Sequence, residues 1–283
     1  MRYFSNVDDF LDFYFNKYIG ITNLDFADED GLDYLLWEQL LKYIEENKTK
    51  NPELYCLQAD LYYRGKYVEE DYQKARELFD KGIELGSLYC MYRKANLLID
   101  SIDLEYEEAF ALLKKASDLG FAPAINTLGW MYLKGLGGVG CCDEKTANEL
   151  FQKSAILGYA AGMNNYALYI IKTDTKKALE LLEKSAGLYN TGAIFTLGVL
   201  YYKGEYIEQD YQKAYNYFVK AALDDNDGAF RYLGFMYEEG KYVKKNIDIA
   251  IFCYKESHRL GNRFALRDLA SLLNSTDENT DDL

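Results

Sequence analysis

The chain has 283 residues, of which 49% are hydrophobic and 28% are charged, a composition typical of a folded protein with a substantial apolar core. Its 32 Lys and Arg residues against 46 Asp and Glu residues give a net charge of −14. A chain this acidic repels nucleic-acid phosphates and anionic lipid, and we therefore expect no nucleic-acid partner and no membrane role. A basic protein partner is compatible with the charge.

The N-terminal residues and the cysteines together predict a cytoplasmic protein. Asp8, Asp9 and Asp12 interrupt the apolar core that a signal peptide needs. No apolar run is long enough to predict a transmembrane helix. The five cysteines are odd in number and irregularly spaced, which favours reduced thiols over a disulfide framework.

Residues 1–50 are predicted to form an N-terminal helical cap. Their apolar residues indicate two amphipathic helices, one around Phe10, Leu11, Tyr14 and Tyr18 and one from about Leu32 to Ile44. The ends of a repeat protein need such a cover, because the terminal repeat otherwise exposes its core face.

From residue 51 onward a small residue recurs at intervals of roughly 35 residues. The small residues are Ala59, Ala95, Gly129, Ala167, Gly198, Gly234 and Ala270. Periods in this range indicate two-helix repeats that stack on one another. The sequence therefore predicts an all-α solenoid of about six helical hairpins over residues 51–273.

The first hairpin shows how each repeat is built. Its first helix is predicted from about Pro52 to Tyr63, with Gly65 ending it in a left-handed conformation and Asp71 capping the second helix. The capping position recurs as Asp71, Glu105, Asp143, Asp174, Asp210 and Asn246. An alanine follows four residues later in every repeat, and a small residue seven further on, so that adjacent helices can approach closely.

A glycine closes most second helices, at Gly86, Gly120, Gly158 and Gly261. Tyr189 and Asp225 stand at this position in the fourth and fifth repeats. There we expect the neighbouring Asn190 and Asn226 to take the left-handed turn, because Asn tolerates it better than most residues.

Beyond the hairpins, a helix at about residues 262–273 is predicted to close the C-terminal end. Residues 274–283 are rich in Ser, Thr, Asp and Asn, which predicts a disordered acidic tail.

Three fragments repeat one first-helix motif. They are Ala124-x3-Leu128-Gly129-x2-Tyr132-x2-Gly135, Ala193-x3-Leu197-Gly198-x2-Tyr201-x2-Gly204 and Ala229-x3-Leu233-Gly234-x2-Tyr237-x2-Gly240. The second-helix pattern reads Asp210-x2-Lys213-Ala214-x2-Tyr217-Phe218-x-Lys220-Ala221-Ala222. These residues resemble the Sel-one-like repeat family, a branch of the tetratricopeptide-like helical repeats, over roughly residues 52–273. In the second and fourth repeats, Lys94 and Tyr166 replace the leucine of the motif.

The resemblance implies a right-handed α/α superhelical solenoid of Sel-one-like hairpins that holds other proteins. It implies no reaction, and we expect no cofactor and no metal.

Two motifs and one histidine could carry chemistry, and we discount each. Residues 135–140 match the dinucleotide pattern G-x-G-x-x-G, but they follow a predicted helix instead of a strand. Cys141 and Cys142 could bind a soft metal or oxidise, yet an ordinary reduced pair in a variable loop is favoured. His258 is the only histidine, which excludes a His-rich metal site.

One face of the first helices looks like a binding site. If Ala193 is position one, positions one, five, eight and nine face the core, and positions three, seven and ten point away from it. Position seven should then be polar, but from the third repeat onward it reads Trp130, Leu168, Val199 and Phe235. In tetratricopeptide-like stacks the first helices line the concave side. The predicted partner-binding groove consists of Tyr92, Asn126, Trp130, Leu168, Phe195, Val199, Tyr202, Arg231 and Phe235. The alternative is that superhelical curvature buries this strip between neighbouring hairpins.

Three functions are therefore compared. The first is a non-catalytic protein-binding module, in its most specific form a bacterial immunity protein that neutralises a basic or toxin protein, since some members of the resembled family are associated with toxin systems. The second is an adaptor that assembles a signalling or quality-control complex. The third is a cell-wall-acting hydrolase like the cysteine-rich relatives, which we rank last because this chain lacks their cysteine pair in each hairpin.

Overall fold

The computed structural model describes residues 34–65, 68–101, 105–138 and 140–278. Over these residues the chain forms fourteen helices and no strand, as the sequence predicts. The helices are α1 Tyr34–Asn47, α2 Glu53–Arg64, α3 Tyr72–Glu84, α4 Leu88–Asp100, α5 Tyr106–Asp118, α6 Ala122–Lys134, α7 Glu144–Ile156, α8 Ala160–Ile170, α9 Thr175–Gly187, α10 Thr191–Lys203, α11 Tyr211–Ala222, α12 Asp227–Glu239, α13 Ile247–Arg259 and α14 Ala265–Glu278.

The chain divides into two compact units between Gly162 and Met163. In unit 1, α1 packs on α2, and three hairpins follow, formed by α2 with α3, α4 with α5 and α6 with α7. In unit 2, α10 pairs with α11 and α12 with α13, while α14 packs on α13. Within each unit the second helix of a hairpin also contacts the first helix of the next, as expected of a stacked helical repeat.

The second helices begin where the capping pattern predicts. Five of the predicted capping side chains accept a hydrogen bond from the backbone N–H three residues later: Asp71, Asp143, Asp174, Asp210 and Asn246. Glu105 makes no such bond. Its carboxylate instead accepts a hydrogen bond from Arg76 at 2.9 Å, on the preceding second helix.

The predicted turns at the ends of α9 and α11 are wrong in one respect. Tyr189 and Asp225 themselves take the left-handed conformation, with φ of 61° and 54°. Asn190 and Asn226 remain extended, and each accepts a 2.8 Å hydrogen bond from the backbone N–H three residues later. The asparagines are therefore needed as caps of the next helix, which leaves the left-handed turn to the residue before them.

Small residues allow the two helices of a hairpin to approach closely. The recurring alanines of the second helices are essentially inaccessible: Ala75, Ala109, Ala147, Ala178, Ala214 and Ala250. On the first helices, a Cβ placed at Gly198 would lie 2.7 Å from the ring of Phe218 on the partner helix. The small columns thus fix the core side of each first helix and leave its opposite face for other contacts.

The predicted ends of the chain are described in part. The expected cap helix around residues 10–18 lies outside the described residues, while α1 matches the second predicted helix and buries Leu40 and Ile44. The C-terminal helix α14 continues to Glu278, so the first five residues of the predicted tail are helical, and the rest lie outside the described part. None of the described helices is long and apolar enough to cross a membrane.

Candidate protein-binding surface

In unit 1, Trp130 is the predicted groove residue that faces solvent. It lies on α6, and 38% of its surface is exposed. Asn126, one turn earlier on the same face, is half-buried. An indole that stays accessible on an otherwise well-packed helix is the kind of side chain that anchors protein interfaces.

Tyr92 does not belong to this surface. Its side chain is buried, and its ring meets the edge of Phe121 at 5.8 Å. The prediction failed for Tyr92 because the next first helix begins beside it and covers position three of α4. Tyr92 is also close to Tyr159, whose pKa burial raises well above the usual range.

In the first hairpin, a buried ion pair occupies the face on which the groove was predicted. Position seven of α2 is Asp60, which is fully buried. Its carboxylate accepts a 2.8 Å hydrogen bond from Arg93 on α4, which is itself almost completely buried. This face of α2 is therefore an inter-hairpin contact and not an open surface.

In unit 2, Leu168 on α8 is the most accessible of the predicted groove residues, with 50% of its surface exposed. Tyr169 beside it is exposed as well, although position eight was expected to face the core. α8 ends at Ile170, and both Ile170 and Ile171 are buried. Leu168 and Tyr169 together present two large apolar side chains to solvent, and sequence periodicity predicts only the first.

Phe195 and Tyr202 on α10 belong to a cluster of four rings. We call Phe195, Tyr202, Phe218 and Tyr232 the aromatic cluster; Phe218 stacks on Tyr232 at 4.9 Å and is fully buried, and Phe195 lies 6.0 Å from it. Phe195 and Tyr202 remain half-buried at the edge of the cluster, as does Val199 between them on α10. Their rings thus serve packing first and can offer only an edge to a partner.

A lysine covers part of Tyr202. The ammonium group of Lys241 lies 4.9 Å from the centre of the Tyr202 ring and donates a 3.2 Å hydrogen bond to its hydroxyl oxygen. Glu239 pairs with the same ammonium at 2.5 Å. Burial raises the pKa of Tyr202. The sequence gives no signal for this contact, since Lys241 comes from the loop after the following first helix.

Arg231 and Phe235 on α12 are occupied by the C-terminal helix. Arg231 donates a hydrogen bond to Asp268 on α14, which raises the pKa of the guanidinium. The guanidinium also lies over the rings of Phe235 at 5.0 Å and Phe264 at 5.6 Å. Phe235 packs in addition on Tyr254, so both residues stabilise the end of unit 2.

The two motifs and the histidine that the sequence analysis discounted form no common site among the described residues. The glycine-rich segment connects α6 to α7, and Gly135 ends α6 with φ of 68°. Cys141 and Cys142 are exposed free thiols, and no group of three or more potential metal-ligating side chains is found over the described ranges. His258 is exposed in the last turn of α13.

The fold and these surfaces define an all-α helical-repeat protein. The Sel1 repeat family model matches residues 56–87, 100–121, 122–159, 160–190, 191–226 and 231–262. These segments cover more than half of the sequence, and the chain therefore belongs to the Sel1 repeat family. The six matches confirm the predicted resemblance and the number of hairpins.

Solved structures show the same fold. A protective antigen of uropathogenic Escherichia coli with an SLR fold is 24% identical, with a TM-score of 0.67; the match covers 84% of this chain and 52% of the antigen, so this chain spans about half of its length. A Sel1 repeat protein from Oxalobacter formigenes is 20% identical, with a TM-score of 0.65 and coverage of 79% and 92%. An immunity protein from Pseudomonas aeruginosa is 26% identical, with a TM-score of 0.50 and coverage of 63% and 67%. No curated protein matches the sequence.

Membership in this family gives the broad function. Sel1 repeat proteins are protein-interaction scaffolds, and the chain is therefore a helical-repeat scaffold for protein binding.

Proposed function

We propose that the chain is a non-catalytic protein that binds a protein partner through exposed apolar side chains on first helices of each unit. The observation that carries the proposal is made in each unit by itself: Trp130 on α6 of unit 1 and Leu168 on α8 of unit 2 are exposed at positions where a solvent-facing helix normally presents polar residues. Exposure of a large apolar side chain to water is unfavourable, and burial of that side chain by a partner would contribute to the free energy of binding.

The partner is a basic protein in this proposal. The 46 acidic residues exceed the 32 basic ones, so the chain attracts cations over long distances. Attraction of this kind speeds encounter and excludes acidic partners, while the apolar contacts supply most of the affinity.

The most specific version is that the chain neutralises a toxin. It is supported by the likeness to the Pseudomonas aeruginosa immunity protein, at 26% identity over 63% of this chain. The charge fits this version, because a basic toxin would be drawn to an acidic inhibitor.

Affinity capture tests the proposal. The tagged chain is incubated with a lysate of its source cells, and the eluted proteins are quantified by mass spectrometry. We expect one basic protein in stoichiometric amount, whose recovery falls when salt is raised. Several weak partners would instead favour the adaptor, and an empty eluate would contradict a stable partner.

Matched variants locate the surface. Trp130→Ser and Leu168→Ser should each reduce recovery of the partner by more than about tenfold, as for hot-spot residues. Leu119→Ser in unit 1 and Leu223→Ser in unit 2 are the controls, because both leucines are exposed at the ends of second helices. Full recovery by both first-helix variants would refute the proposed surface, even if the partner itself is confirmed.

A further inference from the structure

In the third, fifth and sixth hairpins, the second helix covers position six of the first helix. The residues at this position, Ala59, Ala95, Gly129, Ala167, Gly198 and Gly234, are all buried. The ring of Phe218 lies over Gly198, the ring of Phe151 over Gly129 and the ring of Tyr254 over Gly234. The small residue thus marks the place where a second helix packs.

The last described helix, α14, is built like a first helix but has no such cover among the described residues. Ala265 and Leu272 are buried, as positions one and eight of a first helix should be, and α14 packs on α13. Leu266, Ala270 and Leu273 stand at positions two, six and nine, and all three are exposed, the leucines by 48% and 43%. In the six earlier first helices these positions are buried or half-buried. The described residues provide no second helix for α14.

These three residues form one stripe, which we call the α14 stripe. Spacings of four and three residues place them on the same face of the helix. Ala270 at the centre lets another helix approach closely, and a leucine lies about one turn away on each side. The stripe is nearly symmetrical about Ala270, so it is complementary to itself under a two-fold axis.

Charge selects the direction of such a pair. Arg263 and Arg267 are exposed near the start of α14, and the sequence places Asp277 and Glu278 in its last turn. An antiparallel pair sets the basic end of each helix beside the acidic end of the other, whereas a parallel pair would bring like charges together. The helices of a hairpin are also antiparallel, so the stripe is already suited to this direction.

We propose that α14 pairs with α14 of a second copy of this chain, antiparallel and about a two-fold axis near Ala270. The second copy then takes the place that a second helix occupies in the complete hairpins. The pair buries the two exposed leucines of each copy and completes the last core layer of unit 2.

Sedimentation equilibrium of the full chain over a range of concentrations tests the proposal. The wild-type chain should show a monomer–dimer equilibrium. Ala270→Glu should raise the dimer dissociation constant by more than about tenfold, because it places two unpaired carboxylates against each other. Ser271→Glu is the matched control: Ser271 is exposed next to the stripe but not on it, and its variant should still dimerise.

Cross-linking tests the two-fold register. In a background with Cys141→Ser and Cys142→Ser, which removes the exposed thiols, Ala270→Cys should give a disulfide-linked dimer under a mild oxidant. Ser271→Cys should not. Circular dichroism and the thermal midpoint check that each variant is folded.

Either of two results would overturn the proposal. One is a wild-type chain that stays monomeric at every concentration, which would leave the stripe to a partner protein or to another segment of this chain. The other is a dimer that Ala270→Glu leaves unchanged, which would place the interface elsewhere.

Discussion

Charge holds the first two hairpins of unit 1 together. Arg93 on α4 pairs with Asp60 on α2 at 2.8 Å, and both side chains are buried. Next to it, Lys94 on α4 pairs with Asp80 on α3 at 2.8 Å and with Glu108 on α5 at 2.7 Å. Lys94 stands where the family motif has a leucine, so an ionic network replaces an apolar contact at this junction.

In unit 2, aromatic rings hold the junction between the fifth and sixth hairpins of the chain. Phe218 on α11 stacks on Tyr232 of α12 at 4.9 Å, and Tyr202 on α10 meets Tyr232 at 5.2 Å. The two junctions share the same columns of small residues, yet they use different chemistry between hairpins. The repeat therefore fixes the close approach of the helices through its small residues, and it leaves the contacts between hairpins free to vary.

One of the two largest expected effects comes from breaking the buried ion pair of unit 1. Asp60→Ala should lower the free energy of unfolding by about 3–5 kcal/mol, because it leaves the buried Arg93 guanidinium without this carboxylate. Chemical denaturation measures the loss, and hydrogen exchange should place it in α2 and α4.

The double variant Asp60→Leu/Arg93→Met tests whether the loss in Asp60→Ala comes from leaving one buried charge without its partner. It should recover most of the stability that Asp60→Ala loses, because an apolar pair of similar volume needs no compensating charge. If Asp60→Ala costs less than about 1 kcal/mol, charge does not hold this junction and the contrast with unit 2 fails.

The aromatic cluster should respond differently. Phe218→Ala should cost about 3–5 kcal/mol through lost apolar burial and the cavity that remains, with no rescue by any charge change. Hydrogen exchange should report the loss in α10, α11 and α12. Phe252→Ala on α13 is the matched control, since that ring is exposed and its removal should change stability by less than about 0.5 kcal/mol. Equal losses of stability for Phe218→Ala and Phe252→Ala would contradict the conclusion that the aromatic cluster holds this junction.

The sequence predicts the features of the fold that neighbouring residues along the chain determine. Helices, caps and small columns follow from spacing along the chain, which is why Asp71 and Gly65 appear in their predicted roles. The candidate surface depends on which neighbouring hairpin covers a face. Tyr92 is buried by the hairpin that follows it, and Arg231 is occupied by Asp268, 37 residues away. Periodicity within one helix carries no information about either contact, so it predicted more accessible residues on this face of the first helices than the structure shows.

A smaller effect tests the close approach of the helices in unit 2. Gly198→Ala should destabilise the chain by about 1–3 kcal/mol, because the added Cβ would lie 2.7 Å from the ring of Phe218. Gly187→Ala in α9 is the control: no atom lies within 4 Å of its added Cβ. That variant should gain up to about 1 kcal/mol from the higher helix propensity of alanine. A neutral Gly198→Ala would mean that the aromatic cluster can shift to admit a methyl group.

The smallest effect concerns how the two units end their second helices. Unit 1 closes them with Gly86, Gly120 and Gly158, all at positive φ, whereas unit 2 uses Tyr189 and Asp225 in two of its three. A left-handed residue with a Cβ costs about 1–2 kcal/mol, and glycine costs about 0.5–1 kcal/mol in chain entropy. Tyr189→Gly should therefore stabilise unit 2 by up to about 1 kcal/mol.

The reverse change in unit 1 provides the matched control for Tyr189→Gly. Gly158→Ala should cost about 1–2 kcal/mol, although no neighbouring atom lies within 4 Å of the added Cβ, so the loss would come from backbone strain alone. Thermal midpoints of the two variants should move in opposite directions. A lower midpoint for Tyr189→Gly would show that the Tyr189 side chain stabilises the turn by more than its strain costs, for example through Lys220, whose ammonium lies 5.9 Å from the ring centre.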